Sequence, residues 1–390
     1  MSVAASQELA RELSLRYRGA PRREKSRILD EFCRTCGYNR KYAIGLLREP
    51  PVKRTAAVKR SRARTYGKEV GSALAKVWEA SDRLCAKRLV PFLGELVEVL
   101  ERHQELELPT QTKDRLLGIS PATADRLLGP VKRQLNWRGL TTTKPGTLLR
   151  KQIAVRTAND WSENEPGYFE ADLVAHCGIS THGEYLNSLV LTDVATGWVE
   201  LEALRNKSQL SVSSAVERIR KRLPFLMKGI DSDNGSEFIN ATLHRYCQAH
   251  NITLTRCRPY KKNDQCRVEQ KNWSVVRQRI GYARYEGSEE CAHLAGVYSY
   301  LRPFTNYLQP SVKLIEVKRD GAKVHKTYDA AQTPYRRLVA SLTDKDALDE
   351  LREYYLTLNP VLLRKEYEAH MARLDRAAKV RISHEATNDQ

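Results

Sequence analysis

The chain has 390 residues, of which 41% are hydrophobic and 29% charged, and this balance supplies enough apolar side chains for packed cores and excludes general disorder. No run approaches the roughly 18 uninterrupted apolar residues that a membrane span needs, so no span is predicted. With 66 Lys and Arg against 47 Asp and Glu, the net charge of +19 favours a polyanionic partner such as nucleic acid.

The positive charge is concentrated in the first 160 residues, which hold 33 basic and 17 acidic side chains. Residues 50–65 carry six basic side chains and no acid, and residues 126–159 carry eight and no acid. Both stretches are predicted to be linkers that follow a phosphate backbone, although a solvated connector would have the same composition. The residues in them that we predict to contact DNA are Lys53, Arg54, Lys59, Arg60, Lys132 and Arg133.

Two helix-turn-helix patterns lie on either side of the first linker. In the first, Gly37 supplies a turn and Asn39 can cap the second helix. Arg40 and Lys41 then fall near the start of that helix, where recognition residues meet base edges. In the second pattern, residues 114–121 end in a serine cap and a proline that together begin a helix. A plain helical hairpin is the alternative for each pattern.

The pattern changes from helical to extended after Trp161. Before it, residues 70–106 repeat apolar side chains at helical spacing and are predicted to be helix. Beyond it, β-branched and aromatic residues predict strands, followed by alternating helices and strands. The predicted strands are 168–176, 185–193, 198–204, a short segment ending at Ile230, and 252–255, and the helices are 209–223, 236–250 and one that begins near Gln265. This order predicts an α/β layer with a partly antiparallel sheet.

Three acidic residues fall where such a layer usually carries chemistry. Asp172 lies in the first strand, Asp233 just past the fourth, and Glu269 in the first turns of the last helix. Carboxylates that converge from these elements offer hard oxygen ligands, which suit Mg²⁺. Two metal ions about 4 Å apart can activate an attacking oxygen and stabilise a leaving one at phosphorus. For any one acid, capping a helix or pairing with an arginine is the ordinary alternative.

Four motifs surround these acids: Tyr168-Phe169-Glu170-Ala171-Asp172, Leu191-Thr192-Asp193, Asp233-Asn234-Gly235-Ser236-Glu237-Phe238, and Lys262-Asn263-Asp264 followed by Val268-Glu269. Asp233 and Glu269 are separated by 35 residues. In these features the sequence resembles the retroviral-integrase-like DDE transposases of bacterial insertion sequences, closely over residues 160–290. The resemblance implies an RNase H-like catalytic core in which Asp172, Asp233 and Glu269 bind two Mg²⁺ ions, with Mn²⁺ as a substitute.

The same resemblance implies a reaction and its partners. Family enzymes use water to expose a 3′-hydroxyl at each element end and then use that hydroxyl to attack target DNA, without ATP and without a covalent protein–DNA intermediate. They act as multimers on double-stranded DNA. Four basic residues near the acids in sequence are predicted to hold DNA phosphates: Lys261, Lys262, Arg267 and Lys271. For Lys271, two residues past Glu269, a solvent-exposed lysine is an equal alternative.

The last hundred residues combine a hairpin with helices. Residues 314–317 and 322–327 flank an Asp-Gly pair, which is a strong signal for a two-residue hairpin turn, and several lysines lie along it. Both a DNA-binding hairpin and a solvated one fit this composition. Two apolar stripes then predict helices before and after Pro360.

These elements predict a multidomain α+β protein with N-terminal helix-turn-helix units, a central α/β layer, and a small C-terminal part of hairpin and helices. The resemblance identifies the central layer as an RNase H-like catalytic core. The predicted domains are residues 1–65 (helix-turn-helix unit with basic linker), 66–135 (second helical unit), 136–160 (basic linker), 161–290 (catalytic core) and 291–390 (C-terminal part).

The resemblance implies a DDE-type DNA transposase, a polynucleotidyl transferase that binds element ends and performs Mg²⁺-dependent 3′-end cleavage and strand transfer. It is expected to act as a homo-oligomer on DNA in the bacterial cytoplasm, at the nucleoid. A catalytically silent DNA-binding regulator and a structure-selective nuclease with the same core are the alternatives. The presence of all three carboxylates argues against the regulator. Two helix-turn-helix patterns suit a defined end sequence and argue against the nuclease.

Overall fold

The computed structural model describes residues 1–51, 65–134, 165–232, 237–238, 241–256, 265–320 and 323–388. The chain divides into two compact units, Met1–Arg64 and Thr65–Gln390. Within the described residues, no helix is both long and apolar enough to cross a membrane.

The first unit contains three helices, which are α1 (Val3–Gly19), α2 (Arg22–Cys36) and α3 (Arg40–Arg48). Gly37 adopts a φ of 72°, in the left-handed region that favours glycine, and so ends α2. The side chain of Asn39 accepts a hydrogen bond from the Tyr42 amide and caps α3. The turn and the cap therefore lie where the sequence predicts them, and Phe32 and Leu47 are buried in the core of the unit.

Four helices begin the second unit, namely α4 (Lys68–Ala80), α5 (Ala86–Arg102), α6 (Thr110–Leu117) and α7 (Pro121–Gln134). The stretch 70–106, predicted to be helix, is broken by a turn in which Asp82 and Arg83 have φ values of 54° and 63°. No glycine marks this break in the sequence. Ser120 caps α7 as expected, since its Oγ accepts a hydrogen bond from the amide three residues further on at 3.3 Å.

The centre of the second unit is a five-stranded sheet of β1 (Tyr168–Ala175), β2 (Asn187–Asp193), β3 (Val199–Leu204), β4 (Gly229–Ser232) and β5 (Thr253–Arg256). Helices α8 (Gln209–Arg222) and α9 (Ala241–Ala249) follow β3 and β4. The strand order across the sheet is β3-β2-β1-β4-β5. Strand β1 pairs antiparallel with β2 and parallel with β4, and β5 runs parallel to β4. The partly antiparallel sheet predicted from the sequence is thus present, with β1 at its centre.

The side chains of β1 alternate between two cores. Phe169 faces a core that it shares with residues of α8 and α9. Val174 faces the other core, on the opposite side of the sheet. Because side chains two apart on a strand share a face, Glu170 and Asp172 lie on the same side as Val174. A mixed sheet with helices on both faces fits the core that the resemblance implies.

One helical stretch follows β5 and packs on the second face of the sheet. It consists of α10 (Cys266–Lys271), a π-helical segment (Asn272–Arg277) and the short α11 (Gln278–Ile280). Val268 and Val276 are buried in the same core as Val174. The long helix α12 (Gly287–Leu308) contributes to that core as well.

The C-terminal part contains a hairpin and three helices. The hairpin pairs β6 (Leu314–Asp320) with β7 (Lys323–Tyr328) at the position of the Asp-Gly signal, and residues 321–322 of its turn lie outside the described residues. Helices α13 (Pro334–Ser341), α14 (Lys345–Thr357) and α15 (Pro360–Asn388) follow.

Helices α4 to α7 are joined to the C-terminal helices by shared packing. Val99 of α5 is buried in the same core as Tyr335 and Tyr355. The carboxylate of Glu95 accepts hydrogen bonds from Arg336 Nε at 2.8 Å and from the Tyr355 hydroxyl at 2.7 Å. These helices therefore lie in one compact unit with the sheet and the C-terminal part.

Candidate catalytic centre

Asp172 lies in the central strand β1 and is half-buried. Its Oδ1 accepts a hydrogen bond from the Leu173 amide at 2.8 Å, and its Oδ2 accepts one from Asn272 Nδ2 at 2.6 Å. Asn272 is the first residue of the π-helical segment, 100 residues away in sequence. The contact therefore sets the position of Asp172 relative to the helical stretch that carries Glu269.

Glu269 lies on α10, three residues before Asn272, and its side chain is exposed. Residues three apart on a helix are neighbours on its surface, so Glu269 lies on the face of the stretch that Asn272 presents to Asp172. The structure thus places the predicted strand acid and the predicted helix acid on two elements that contact each other.

Asp233, the third predicted acid, lies outside the described residues. Strand β4 ends one residue earlier, at Ser232, which pairs in parallel register with Ala171. The end of β4 therefore lies beside the strand position that precedes Asp172.

Glu170 was not predicted as a site residue from the sequence. Its side chain is only 3% exposed, and its Oε2 accepts hydrogen bonds from the backbone amides of Arg267 at 2.8 Å and Val268 at 2.9 Å. Its Oε1 lies 3.0 Å from the Arg267 guanidinium. Burial raises the pKa of Glu170, and the Arg267 charge and the amide donors oppose that rise. The sequence spacing could have identified Glu170 as a site residue, because a position two residues before Asp172 puts both acids on one face of the strand.

Gln265, the residue before α10, connects the helix to two strands. Its Nε2 donates hydrogen bonds to the Ala171 carbonyl at 3.4 Å and to the Asp231 carbonyl at 3.2 Å. Together with the contacts of Glu170, these bonds hold the start of α10 against β1 and β4.

Two of the basic residues predicted near the acids are described. Arg267 pairs with Glu170. Lys271 is half-buried, and burial lowers its pKa to about 8, with the nearby positive charges of Arg337 and Arg88 acting in the same direction. The other two, Lys261 and Lys262, lie outside the described residues.

The remaining residues predicted to contact DNA lie in the N-terminal helices and the basic linkers. Arg40 forms an ion pair with Asp30, and Lys41 is exposed. Lys132 pairs with Asp125 at 2.9 Å. Arg133 lies in α7, and Lys53, Arg54, Lys59 and Arg60 lie outside the described residues. Their role in DNA binding stays a prediction.

The centre offers oxygen ligands of the kind that Mg²⁺ and Mn²⁺ prefer. Asp172 and Glu269 supply carboxylates. The buried Oδ1 of Asn272 accepts no hydrogen bond from any described residue, and a cation with its bound water would supply the missing donor beside Asp172. Among the described residues alone, no three His, Cys, Asp or Glu side chains form a metal-binding group. The resemblance also implies Asp233 as a ligand. The two described ligands, Asp172 and Glu269, are carboxylates and fit a Mg²⁺ or Mn²⁺ ion.

Known proteins share parts of this organisation. Residues 163–262 match a family model described as the integrase core domain, a range that includes the five strands of the central sheet and ends before Glu269. The protein y4rM of Sinorhizobium fredii (strain NBRC 101917 / NGR234), which is named as uncharacterized, is 43% identical over 343 residues, covering 86% of this chain and 96% of y4rM. The catalytic core domain of BIV integrase aligns in structure with 48% of this chain and 98% of its own, at 17% identity and a TM-score of 0.29.

Proposed function

We propose that this chain, which belongs to the integrase-core family, is a DDE-type DNA transposase. In this proposal it binds the ends of its element, cleaves their 3′ ends and transfers them to target DNA. The main support is the contact between Asp172 and Asn272, which holds the acid of the central strand against the helical stretch bearing Glu269. Metal-dependent phosphodiester chemistry requires carboxylates fixed in this way.

The proposed ligands of two Mg²⁺ ions, for which Mn²⁺ can substitute, are Asp172, Asp233 and Glu269. When bound, such ions activate the attacking oxygen and stabilise the leaving oxygen at phosphorus. The contribution of the chain itself is position: Asn272 orients Asp172, and Glu170 holds the start of α10. Positioning and charge neutralisation then lower the barrier to in-line displacement.

Double-stranded DNA, at the element ends and at the target site, is the proposed partner. The net charge of +19, concentrated before residue 160, favours contacts with phosphates. Two ends must be joined to one target, so we propose that the protein works as a homo-oligomer on nucleoid DNA. No step of the proposed reaction consumes ATP.

The test combines the purified protein, DNA from either side of its gene, a target plasmid and Mg²⁺. We expect 3′-end cleavage and joining of the cleaved ends to the plasmid. Asp172→Asn, Asp233→Asn and Glu269→Gln should each reduce both products by at least about 100-fold, with DNA affinity near that of the wild type, because only metal ligation is lost. Glu202→Gln is the control, since Glu202 lies on the edge strand β3 and pairs with Arg222.

Three other outcomes are informative. Carboxylate variants that cut as well as the wild type would show that the proposed site is wrong. Tight, sequence-specific binding without cleavage under Mg²⁺ or Mn²⁺ would favour a catalytically silent regulator. Cleavage of branched DNA without joining would favour a structure-selective nuclease.

A further inference from the structure

We propose that Glu170 is a positioning residue of the catalytic centre: it caps the start of α10 from the neighbouring strand and thereby sets the position of Glu269 relative to Asp172. This inference rests on the proposed function, because it assigns a role within the same site. It gives a fourth carboxylate of the centre a task that is separate from binding metal.

Among the described residues, the segment that leads into helix α10 supplies no capping side chain. Gln265, the residue before it, makes no side-chain hydrogen bond to the first amides of the helix, and such amides have no partner within a helix. Glu170 Oε2 supplies the missing acceptor from β1, at 2.8 Å from the Arg267 amide and 2.9 Å from the Val268 amide. A carboxylate is favourable at this place because the start of a helix carries partial positive charge.

Glu170 is connected to both described acids through neighbouring residues. Glu170 and Asp172 are two residues apart on β1, which is paired on both sides, with β2 and with β4. Val268, whose amide Glu170 holds, directly precedes Glu269 in the chain. Any shift of α10 along or around its axis would therefore move Glu269 relative to Asp172, and the Glu170 contacts oppose that shift.

Both oxygens of Glu170 are occupied by these contacts and by Arg267. Oε1 lies 3.0 Å from the Arg267 guanidinium, and the Glu170 side chain is 3% exposed. A buried carboxylate whose charge is paired and whose oxygens are hydrogen-bonded has little freedom to move. Arg267, predicted to hold a DNA phosphate, thus serves as the counter-ion of this contact.

The position of the π-helical segment that follows Glu269 depends on how Glu170 caps α10. Helix α10 is only six residues long, and the π-helical segment follows it at Asn272. Such π segments are rare and are often found at functional sites. Because Asn272 contacts Asp172, the register of the short helix before it decides whether that contact forms.

Glu200 provides a matched control in the same sheet. It lies on β3, its side chain is also 3% exposed, and it pairs with Arg222 at 2.7 Å and Arg302 at 3.1 Å. Strand β2 separates β3 from β1, and none of these contacts of Glu200 involves α10. Loss of its charge should lower stability without changing the catalytic centre.

The experiment compares the full-length protein with Glu170→Gln, Glu170→Ala and Glu200→Gln. Mn²⁺ affinity is measured by electron paramagnetic resonance, DNA joining as kcat and KM, and protection of the amides at 267 and 268 by hydrogen exchange. For Glu170→Ala we expect kcat and Mn²⁺ affinity to fall by about 10- to 100-fold, KM for DNA to stay unchanged, and protection of both amides to be lost. In Glu170→Gln the side chain keeps its shape and one hydrogen-bond acceptor. Its kcat, Mn²⁺ affinity and amide protection should therefore lie between those of the wild type and Glu170→Ala.

Glu200→Gln should lower the Tm while leaving Mn²⁺ affinity, kcat and amide protection at wild-type values. If Glu170→Ala shows the same pattern as Glu200→Gln, the proposal is overturned and Glu170 is a structural ion pair only. If Glu170→Ala does not fold, Glu170→Gln decides: unchanged Mn²⁺ affinity despite faster exchange at 267 and 268 would equally overturn it. A wild type that joins no DNA would contradict the proposed function alone, because Mn²⁺ affinity still distinguishes the variants.

Discussion

Among single residues, Asn272 connects the two described parts of the proposed centre. Its Nδ2 donates to Asp172, and contacts of this kind, which orient a metal ligand, typically change metal affinity or activity 10- to 100-fold. We expect Asn272→Ala to reduce Mn²⁺ affinity and 3′-end cleavage by about 10- to 100-fold, because Asp172 loses the donor that orients it. Titration with Mn²⁺ and a cleavage assay measure the two effects.

The matched control for this change is Asn187→Ala. Asn187 is buried on β2, and its Nδ2 donates to the Tyr185 carbonyl at 3.1 Å, a contact that involves neither acid. This variant should lose stability but keep its Mn²⁺ affinity. Equal losses of Mn²⁺ affinity in the two variants would mean that Asn272 acts through general packing.

His176 follows β1 and is buried in the neutral state. Its Nε2 lies 2.7 Å from Ser188 Oγ, which is also hydrogen-bonded to the Tyr298 hydroxyl. Burial lowers the pKa of His176 to about 3, and the charge of Arg277 acts in the same direction. In the unfolded chain the pKa is about 6.5. The stabilisation from neutral His176 is therefore fully present above that pH and is lost as the pH falls toward 3.

This pKa difference predicts a pH-dependent stability. Between pH 7 and pH 5, the free energy of unfolding should fall by roughly 2 kcal/mol more in the wild type than in His176→Gln. Glutamine retains a polar group near Ser188 but has no proton to gain in the unfolded state. Urea unfolding at the two pH values measures the difference, and an identical loss in both proteins would refute a neutral buried His176.

Between secondary-structure elements, the turn that joins α4 to α5 is held by distant charges. Asp82 pairs with Arg279 of α11 and lies 4.0 Å from Arg364 of α15. The three side chains are at most 22% exposed. Arg364 keeps Glu368 as a partner at 2.8 Å when Asp82 is neutralised, but the buried Arg279 loses its pairing with Asp82. We therefore expect Asp82→Asn to lower the free energy of unfolding by about 3 kcal/mol. Asparagine tolerates the positive φ at this position, so the change isolates the charge.

Chemical denaturation of Asp82→Asn and Asp125→Asn checks this prediction. Asp125 pairs with Lys132 on the surface of α7 and is 54% exposed, so loss of its charge should have little effect. Similar stability in both variants would mean that the Asp82 ion pair does not hold the turn. The same contacts explain why the break was missed: residues 70–106 contain no local stop signal at Asp82, and its partners Arg279 and Arg364 lie far along the chain.

For the molecule as a whole, the division into two units predicts which truncations are tolerated. Met1–Arg64 is compact by itself and carries 17 basic and 6 acidic side chains. We expect the fragment 65–390 to keep a Tm near that of the full chain, but to bind DNA more weakly and with a shallower salt dependence, because the predicted phosphate contacts of the first unit would be missing. The fragment 135–390 should be unstable, because it lacks Val99 and Glu95, which pack with α13 and α14.

Circular dichroism melts and DNA binding by fluorescence anisotropy at several salt concentrations test both fragments. An unfolded 65–390 fragment would contradict the independence of the second unit. A stable 135–390 fragment would contradict the shared core. If the DNA affinity of the 65–390 fragment depends on salt as strongly as that of the full chain, the N-terminal basic residues do not contribute to DNA binding.

Parts of both units were predictable from local patterns. β-branched and aromatic residues predicted the strands, the order of strands and helices predicted a partly antiparallel sheet, and the motifs around Asp172 and Asp233 indicated the integrase-core family before any packing was known. Gly37 and Asn39 marked the end of α2 and the start of α3, since a left-handed turn and a helix cap act on immediate neighbours.

The sequence by itself determined the strands and helices of the sheet region, the acids placed on them and the family, because strand and helix propensity, capping and turn formation depend on residues a few positions apart. Only the tertiary structure decided which side chains meet. Glu170 caps α10 across 97 residues of chain, and Asn272 reaches Asp172 across 100. Contacts over such separations depend on how the helical stretch packs on the sheet, and no local spacing in the sequence encodes that packing.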